Sequence, residues 1–249
     1  MKRITLPLQS QPATALFPSQ HASAAEISTA LGLPTHKAVL LVVGAAGTLN
    51  PLLRPQLAPL FDEVARVARE AEAILLDGGT QAGVMALLGE AVARQGNHSA
   101  LVGVVPAALV AHPENPAAHA PLEPHHSHFV LVEGQEWGNE TAMLLALTTA
   151  LAAAPAGQLP VVVLLAGGGS IARNEIVQAV RHHLPVLVLA GTGGLADELA
   201  AAWPTRQTPP EEPKMAEMLA GGKLRFFPLD GSAAALGQEL RQLLAVPQR

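Results

Sequence analysis

The feature that most constrains the fold is a repeating order of short apolar runs, glycine-containing turns and helical stretches rich in Ala and Leu. The runs are continuously apolar, whereas a strand with one face in water would alternate apolar and polar residues. They are Ala38–Val43, Ala73–Leu76, Leu101–Val105, Phe129–Val132, Val161–Leu165 and Val186–Leu189. Continuous runs of this length are typical of strands buried on both faces of a parallel sheet.

Helical candidates alternate with these strands. In the first of them, apolar residues recur at helical spacing from Leu57 to Val67. The candidates are Leu57–Glu72, Gly83–Arg94, Glu140–Ala153, Ala172–His183 and Leu195–Ala202. The alternation predicts an α/β protein with a Rossmann-like, doubly wound, mainly parallel sheet and helices on both of its faces.

The 249 residues are assigned to a single domain with three regions. Residues 37–203 hold the alternating core, and residues 1–36 are expected to add an N-terminal edge unit. Residues 204–249 supply a loop, a strand and a closing helix. The elements predicted outside the core are a strand over Ala13–Phe17, a helix over Ala24–Leu31, a surface loop over Thr205–Pro213, a strand over Leu224–Leu229 and a helix over Ala233–Leu244.

Composition excludes several classes of protein. With 49% apolar and 14% charged residues the chain is not disordered, and the absence of Cys excludes disulfides, zinc fingers and thiol catalysis. A net charge of −5 offers no basic stripe for nucleic acid. The apolar run Leu159–Leu165 is far shorter than the ~20 residues of a membrane span. We therefore expect a cytoplasmic protein with no membrane insertion.

Four glycine-rich turns follow four of the predicted strands, and each leads into a helix. They read Gly44-Ala45-Ala46-Gly47-Thr48, Gly78-Gly79-Thr80-Gln81-Ala82-Gly83-Val84-Met85, Gly167-Gly168-Gly169-Ser170 and Gly191-Thr192-Gly193-Gly194. In a parallel sheet these turns emerge at one edge, where backbone N–H groups and helix dipoles attract anions. Together they predict a phosphate-bearing ligand, although any one of them could be only a tight connection. Because the P-loop and dinucleotide fingerprints are absent, ordinary NTP hydrolysis and NAD-linked hydride transfer are disfavoured.

Three blocks of sequence resemble one family. They are the turn Gly78 to Met85, the segment Leu122-Glu123-Pro124-His125-His126-Ser127-His128-Phe129, and the strand that ends in Gly191-Thr192-Gly193-Gly194-Leu195-Ala196-Asp197. In this order they are similar to the LSDAT group of the SLOG superfamily, prokaryotic relatives of the cytosolic N-terminal region of melastatin-type TRP channels. The resemblance implies a domain that binds ADP-ribose or another NAD-derived nucleotide without a required cofactor. It also implies ligand contacts for Glu123, His126, His128 and Asp197.

The alternative is an enzyme of the related LOG branch, which cleaves the bond between ribose and base in nucleoside 5′-monophosphates. The turn from Gly167 to Glu175 resembles its motif but lacks the leading Pro and the Gly-Thr pair. Glu175 and Glu140 are the catalytic candidates. Arg173 is interpreted either as a phosphate ligand or as an exposed surface residue. A purely structural scaffold would leave the glycine turns unexplained.

The segment around Glu123 is rich in His, which raises the question of a metal. Its histidines are His112, His119, His125, His126 and His128. Short His spacings do occur in zinc sites, but we predict no metal here and interpret these residues as structural or ligand-contacting. Trp137 could stack on a base or pack beneath a loop. The expected partners are a small nucleotide, further copies of the chain in a homo-oligomer and, for a sensor, a separate effector protein.

Overall fold

The structure is a computed structural model that describes residues 1–155, 157–208 and 210–245. Its strands in chain order are β1 Lys2–Pro7, β2 Pro12–Phe17, β3 Ala38–Gly44, β4 Ala73–Asp77, β5 Leu101–Pro106, β6 His128–Val132, β7 Ala153–Ala154, β8 Gly157–Gln158, β9 Val161–Ala166, β10 Pro185–Ala190 and β11 Lys223–Pro228. Its α-helices are α1 Ala24–Leu31, α2 Arg54–Glu70, α3 Gly83–Arg94, α4 Thr141–Ala152, α5 Ser170–Arg181, α6 Gly194–Ala202, α7 Pro213–Gly221 and α8 Ala233–Leu243.

Within the described residues, nine of the strands form one sheet in the order β1-β2-β6-β5-β4-β3-β9-β10-β11, and β7 and β8 form a separate short hairpin. Neighbouring strands of the large sheet are parallel except at its first edge, where β1 runs antiparallel to β2. The predicted Rossmann-like α/β fold is therefore confirmed.

The sheet is buried between two layers of helices. Alternate residues of β3 point to opposite faces, as expected for a strand: Val39, Leu41 and Val43 join one core cluster, and Leu40 and Val42 join the other. Helices α2, α3 and α8 cover the second of these faces, and α1 and α4–α7 cover the first. Burial on both faces explains why these strands are continuously apolar in sequence.

The sheet changes its direction of winding between β3 and β9. From β3 the chain proceeds through β4, β5 and β6 toward one edge, whereas from β9 it proceeds through β10 and β11 toward the other. The helices that follow β3 and β9, α2 and α5, lie on opposite faces. A crevice therefore opens beyond the carboxyl ends of these two strands, which is where open α/β sheets bind ligands.

Strand β1, helix α7 and the short β7–β8 hairpin were not predicted from the sequence. Strand β1 is an exposed edge strand that starts with Lys2 and Arg3, so it lacks the apolar run of the central strands. The loop predicted over Thr205–Pro213 gives way at Pro213 to α7, whose first N–H groups are capped by the side chain of Glu212. Pro209 of that loop and residues 246–249 of the C-terminal region lie outside the described residues.

Some helix boundaries also differ from the predicted ones. Helix α2 begins at Arg54, three residues before the predicted Leu57, after a short 3₁₀ turn over Pro51–Leu53 that is capped by Asn50. Helix α5 begins at Ser170 instead of Ala172. Helix α5 starts directly after its glycine turn, and its first residues, Ser170 to Ala172, lie at the crevice.

The contact between the first two turns is tight enough to test by substitution. Gly83 has a φ of +50°, and a Cβ there would overlap the carbonyl oxygens of Ala45 and Ala46. We expect Gly83→Ala to lower the free energy of unfolding by about 2–5 kcal/mol, from backbone strain and steric overlap. Gly47→Ala is the matched control, because a Cβ at Gly47 meets nothing within 4 Å. Urea denaturation of both variants measures the difference, and equal midpoints would show that the two turns do not touch.

Candidate functional site

A cleft of about 500 Å³ lies at the crevice between β3 and β9. Three of the four glycine turns contribute to its wall, together with the starts of α3, α4 and α5. The lining residues are Val42, Val43, Gly44, Ala45, Ala46, Gly47, Thr48, Gly78, Thr80, Gln81, Ala82, Met85, Ala120, Pro121, Trp137, Glu140, Gly169, Ser170, Ile171, Ala172 and Glu175. The cleft is thus at the carboxyl edge of the sheet, where the topology places ligand sites.

The turn after β3 is locked between two neighbouring segments. The N–H of Ala45 donates to the carbonyl oxygen of Ala166 at the end of β9 (3.0 Å), and its own carbonyl oxygen accepts from the N–H of Val84 in α3 (3.0 Å). Only glycine fits at Gly44, where a Cβ would overlap the carbonyl oxygen of Ala166. These contacts hold the remainder of the turn, Ala46 to Thr48, open toward the cleft.

Several backbone N–H groups at the cleft are free to bind an anion. Among the described residues no acceptor pairs with the N–H groups of Gly47, Thr48 and Gly169. Helices α3 and α5 both begin at the cleft, and neither has a side-chain cap on its first N–H groups. Free amides at the positive end of a helix dipole form an anion-binding site.

The turn after β4 is held by the long segment that precedes β6. The N–H of Gln81 donates to the carbonyl oxygen of Pro121 (2.9 Å), and the N–H of Glu123 donates to the carbonyl oxygen of Gly79 (2.9 Å). This short antiparallel contact brings Ala120 and Pro121 into the wall of the cleft. Sequence reasoning missed these two residues, because no periodic pattern marks a loop that pairs with a turn.

A buried charge cluster of Asp77, His126 and Glu123 lies behind the turn that follows β4, on the side away from the cleft. The Nε2 and Nδ1 atoms of His126 lie 2.8 Å from Asp77 Oδ1 and from Glu123 Oε2, and all three side chains are at most 1% exposed. With a carboxylate on each nitrogen, the imidazolium form donates both hydrogen bonds. Burial lowers the pKa of His126, but Asp77 and Glu123 outweigh that effect and raise it to about 9. The ring also stacks on Phe129.

The same cluster fixes the backbone of the turn. Asp77 Oδ1 accepts a second hydrogen bond, 2.7 Å long, from the N–H of Gly79. Gly79 has a φ of +68° and packs against Gly103 and the ring of Phe129. It therefore shapes the turn from behind, and its neighbours Gly78 and Thr80 face the cleft.

Two residues with carboxyl groups, Glu140 and Glu175, line the cleft. Glu140 precedes α4 and its Oε2 accepts from the N–H of Gly138 (2.7 Å), whereas Glu175 projects from the second turn of α5. Burial, followed by the charges of Glu140 and Asp77, raises the pKa of Glu175 to about 8. Burial also raises the pKa of Glu140, against the opposing effect of backbone hydrogen bonds. Glu175 is therefore protonated at neutral pH in the unliganded protein.

Twelve of the predicted site residues line the cleft. They are Gly44, Ala45, Gly47, Thr48, Gly78, Thr80, Gln81, Met85, Glu140, Gly169, Ser170 and Glu175. Trp137 also lines it, with 44% of its surface exposed. Seven other predicted site residues lie behind the wall of the cleft and do not line it. They are Gly79, Gly83, Val84, Glu123, His126, Gly167 and Gly168.

His128, a predicted ligand contact, lies away from the cleft. His128 is the first residue of β6, and the amino ends of the parallel strands lie at the edge opposite the glycine turns. Its Nδ1 lies 2.9 Å from the hydroxyl of Ser127. Burial, with a smaller contribution from Arg3, lowers the pKa of His128 to about 4. Its place at the start of the strand makes it a structural residue.

The fourth glycine turn and Arg173 also lie outside the cleft wall. The carboxylate of Asp197 accepts from the N–H groups of Gly191 (2.6 Å) and Gly193 (3.1 Å), and the hydroxyl of Thr192 accepts from the N–H of Gly167 (2.7 Å). Asp197 therefore holds two N–H groups of this turn, and the Thr192 hydroxyl holds the neighbouring glycine turn. The guanidinium of Arg173 pairs with Glu198 and Glu212 at the surface.

The dependence of folding stability on pH distinguishes the Glu175 carboxyl group from the buried cluster of Asp77, His126 and Glu123. The pKa of Glu175 rises from 4.5 to about 8 on folding, and that of His126 rises from 6.5 to about 9. In both windows the folded state binds more protons, so the free energy of unfolding falls as pH rises. Below about pH 6.5 the fall due to Glu175 is opposed by His128, whose pKa drops from 6.5 to about 4 on folding, so that its contribution to stability grows with pH. Above about pH 8, of these three groups only His126 still contributes.

We expect Glu175→Gln to make stability rise with pH between about pH 5 and 6, because the opposing effect of His128 then remains, and His126→Gln to abolish the fall above about pH 8. Urea midpoints of the two variants and the parent across this range make the measurement. His36→Gln, a change of a histidine outside the cluster, is the control for removing an imidazole. An alkaline slope that persists in His126→Gln would contradict the charged state of the cluster.

The described residues contain no helix long and apolar enough to cross a membrane. Nor do they contain a group of three His, Asp or Glu side chains arranged to hold a metal ion.

Comparison with known proteins agrees with the motifs. A family model described as "SLOG in TRPM, prokaryote" matches residues 37–237. A curated relative is the "Transient receptor potential cation channel subfamily M member-like 2" of Nematostella vectensis, 27% identical over 201 residues. That match covers 66% of this chain and 13% of the channel, so the chain corresponds to a small part of the channel. With its α/β sheet, its glycine turns and a match over most of its length, the chain belongs to the LSDAT family of prokaryotic SLOG domains.

Proposed function

We propose that this domain binds a nucleotide-derived ligand that carries phosphate, of the ADP-ribose or other NAD-derived class, in the cleft between β3 and β9. The observation that carries the proposal is the set of free N–H groups of Gly47, Thr48 and Gly169, the last of which directly precedes α5, a helix that no side chain caps. Backbone amides at helix starts recognise phosphate oxygens. The relationship to the cytosolic channel region favours the ADP-ribose class.

The two ends of the cleft suit the two ends of a nucleotide. Phosphate belongs beside Gly169 and Ser170, at the start of α5. Glu175 lies five residues further along this helix, about 7 Å away by helical rise, so sugar and base extend toward Glu140 and Trp137. Trp137 offers an exposed indole face for stacking.

As a binding domain, it would act as a cytoplasmic sensor. Its output would pass to a separate effector protein or through assembly of identical chains.

Binding is tested by titration calorimetry with ADP-ribose, NAD, cyclic ADP-ribose and AMP. Leu side chains introduced at Gly47 and Gly169 project into open space in the cleft, since a Cβ at either position meets nothing within 4 Å. We expect Gly47→Leu and Gly169→Leu to weaken binding at least about tenfold, a loss of about 1.4 kcal/mol, with little change in stability. Ala201→Leu, at an exposed position of α6, is the matched control.

The absence of binding by any of these nucleotides at millimolar concentration would refute the proposed function. Unchanged affinity in both Leu variants would instead move the ligand to a different place on the domain.

The buried carboxyl pair favours one second candidate, a hydrolase that cleaves the N-ribosyl bond of a nucleoside monophosphate. Protonated Glu175 would donate its proton to the departing base, and Glu140 would accept a proton from the water that attacks the ribose carbon. Against it, the turn before α5 lacks the Gly-Thr pair of the LOG motif.

We expect no base to be released from AMP above a blank, as measured by chromatography after long incubation at high protein concentration. Release that is lost in Glu175→Gln and retained in Glu211→Gln, a change at an exposed loop residue, would establish the hydrolase instead.

A further inference from the structure

The ionisable side chains that line the cleft are all acidic, among the described residues. The described lining contains two carboxyl groups, Glu140 and Glu175, and no Lys or Arg. Glu175 is only 7% exposed, and no described side chain or backbone group donates a hydrogen bond to its carboxyl group. Because Glu175 lines the cleft, its carboxyl group is open to a hydrogen-bond partner or a charge on a ligand that displaces water there.

The groups behind the wall increase this negative character. Asp77 contributes to the field at Glu175, and its Oδ2 is buried without a hydrogen-bond partner. The one buried cation in this part of the described structure, His126, is already shared between Asp77 and Glu123. Even with Glu175 protonated, as its raised pKa implies at neutral pH, the five groups carry three negative charges and one positive charge. A positive group in the cleft is therefore favoured, and further anionic groups at this end are disfavoured.

The wall of the cleft also favours a flat positive group. Trp137 exposes 44% of its surface at the cleft, three residues before Glu140. An indole face attracts flat cations through its quadrupole. A bare metal ion fits less well, because the described acids form no three-ligand group for one.

We propose that the ligand presents a flat, positively charged ring to Glu140, Glu175 and Trp137, so that the cleft takes the ribosyl phosphate of a cationic N-heterocycle, with a pyridinium ring as the prototype. The phosphate would lie at the start of α5 and the ring at Glu175, about one and a half helical turns away. This inference rests on the proposed function and specifies the chemical class of its ligand.

Binding of a cation beside Glu175 changes the protonation of its carboxyl group. In the free protein the pKa of Glu175 is raised to about 8 by burial and by Glu140 and Asp77. A cation beside the carboxyl group lowers that pKa, so binding below about pH 8 releases a proton. Affinity for the cation then rises with pH and levels off above about pH 8. A neutral ring releases no proton from Glu175 and shows no such rise.

The experiment compares the oxidised and reduced forms of nicotinamide mononucleotide, which share the ribosyl phosphate and differ in the charge of the ring. Calorimetry in two buffers of different ionisation enthalpy, at about pH 7 and about pH 9, gives the affinity and the number of protons released. We expect the oxidised form to bind at least about tenfold more tightly, with release of a proton at the lower pH only. Glu175→Gln should bring the affinity ratio near one, and Trp137→Ala should reduce it. Glu211→Gln is the control and should keep the ratio.

Equal affinity for the two forms, or a preference that survives in Glu175→Gln, would overturn this inference and leave nucleotide binding intact. Binding of ADP-ribose without binding of either mononucleotide would do the same. Only the failure of every nucleotide to bind would remove the proposed function, and the inference with it.

Discussion

The buried cluster of Asp77, His126 and Glu123 is the interaction on which the cleft depends. It joins the end of β4 to the segment before β6 through two 2.8 Å contacts to one imidazole. Loss of one partner from such a buried ionic group costs on the order of 3–5 kcal/mol, because the remaining charges stay buried without compensation. Because Asp77 also holds the N–H of Gly79, the cluster determines where the neighbouring turn presents Gly78 and Thr80 to the ligand.

Close backbone contacts complete the same wall. The turn after β3 fits between Ala166 and the start of α3 only because Gly44 and Gly83 have no Cβ. These glycines therefore position the wall, whereas Gly47 and Gly169 leave the open space in which a ligand approaches the backbone. Glycines with the same appearance in sequence thus have two different physical roles, and their neighbours decide which role each one has.

The two ends of the cleft favour groups of opposite charge. Helix starts and free amides favour an anion at one end, and Glu140 and Glu175 favour a cation or a proton at the other. Under the proposed function such a division would favour one orientation of the ligand, because reversal would bring its phosphate against the carboxyl groups. The raised pKa of Glu175 follows from this arrangement, since burial and its acidic neighbours both penalise its charged form.

The amino-acid sequence alone determined the fold class, the parallel order of the apolar strands and the edge at which the glycine turns emerge, because burial on both faces and strand–helix alternation are local patterns. It also identified Glu140 and Glu175 as candidate acids. Tertiary structure alone decided that Ala120, Pro121 and Trp137 line the cleft and that Asp77 pairs with His126, 49 residues away. It also placed His128 at the opposite edge. These outcomes depend on the register of strands and on contacts between distant segments, which leave no periodic signal in the chain.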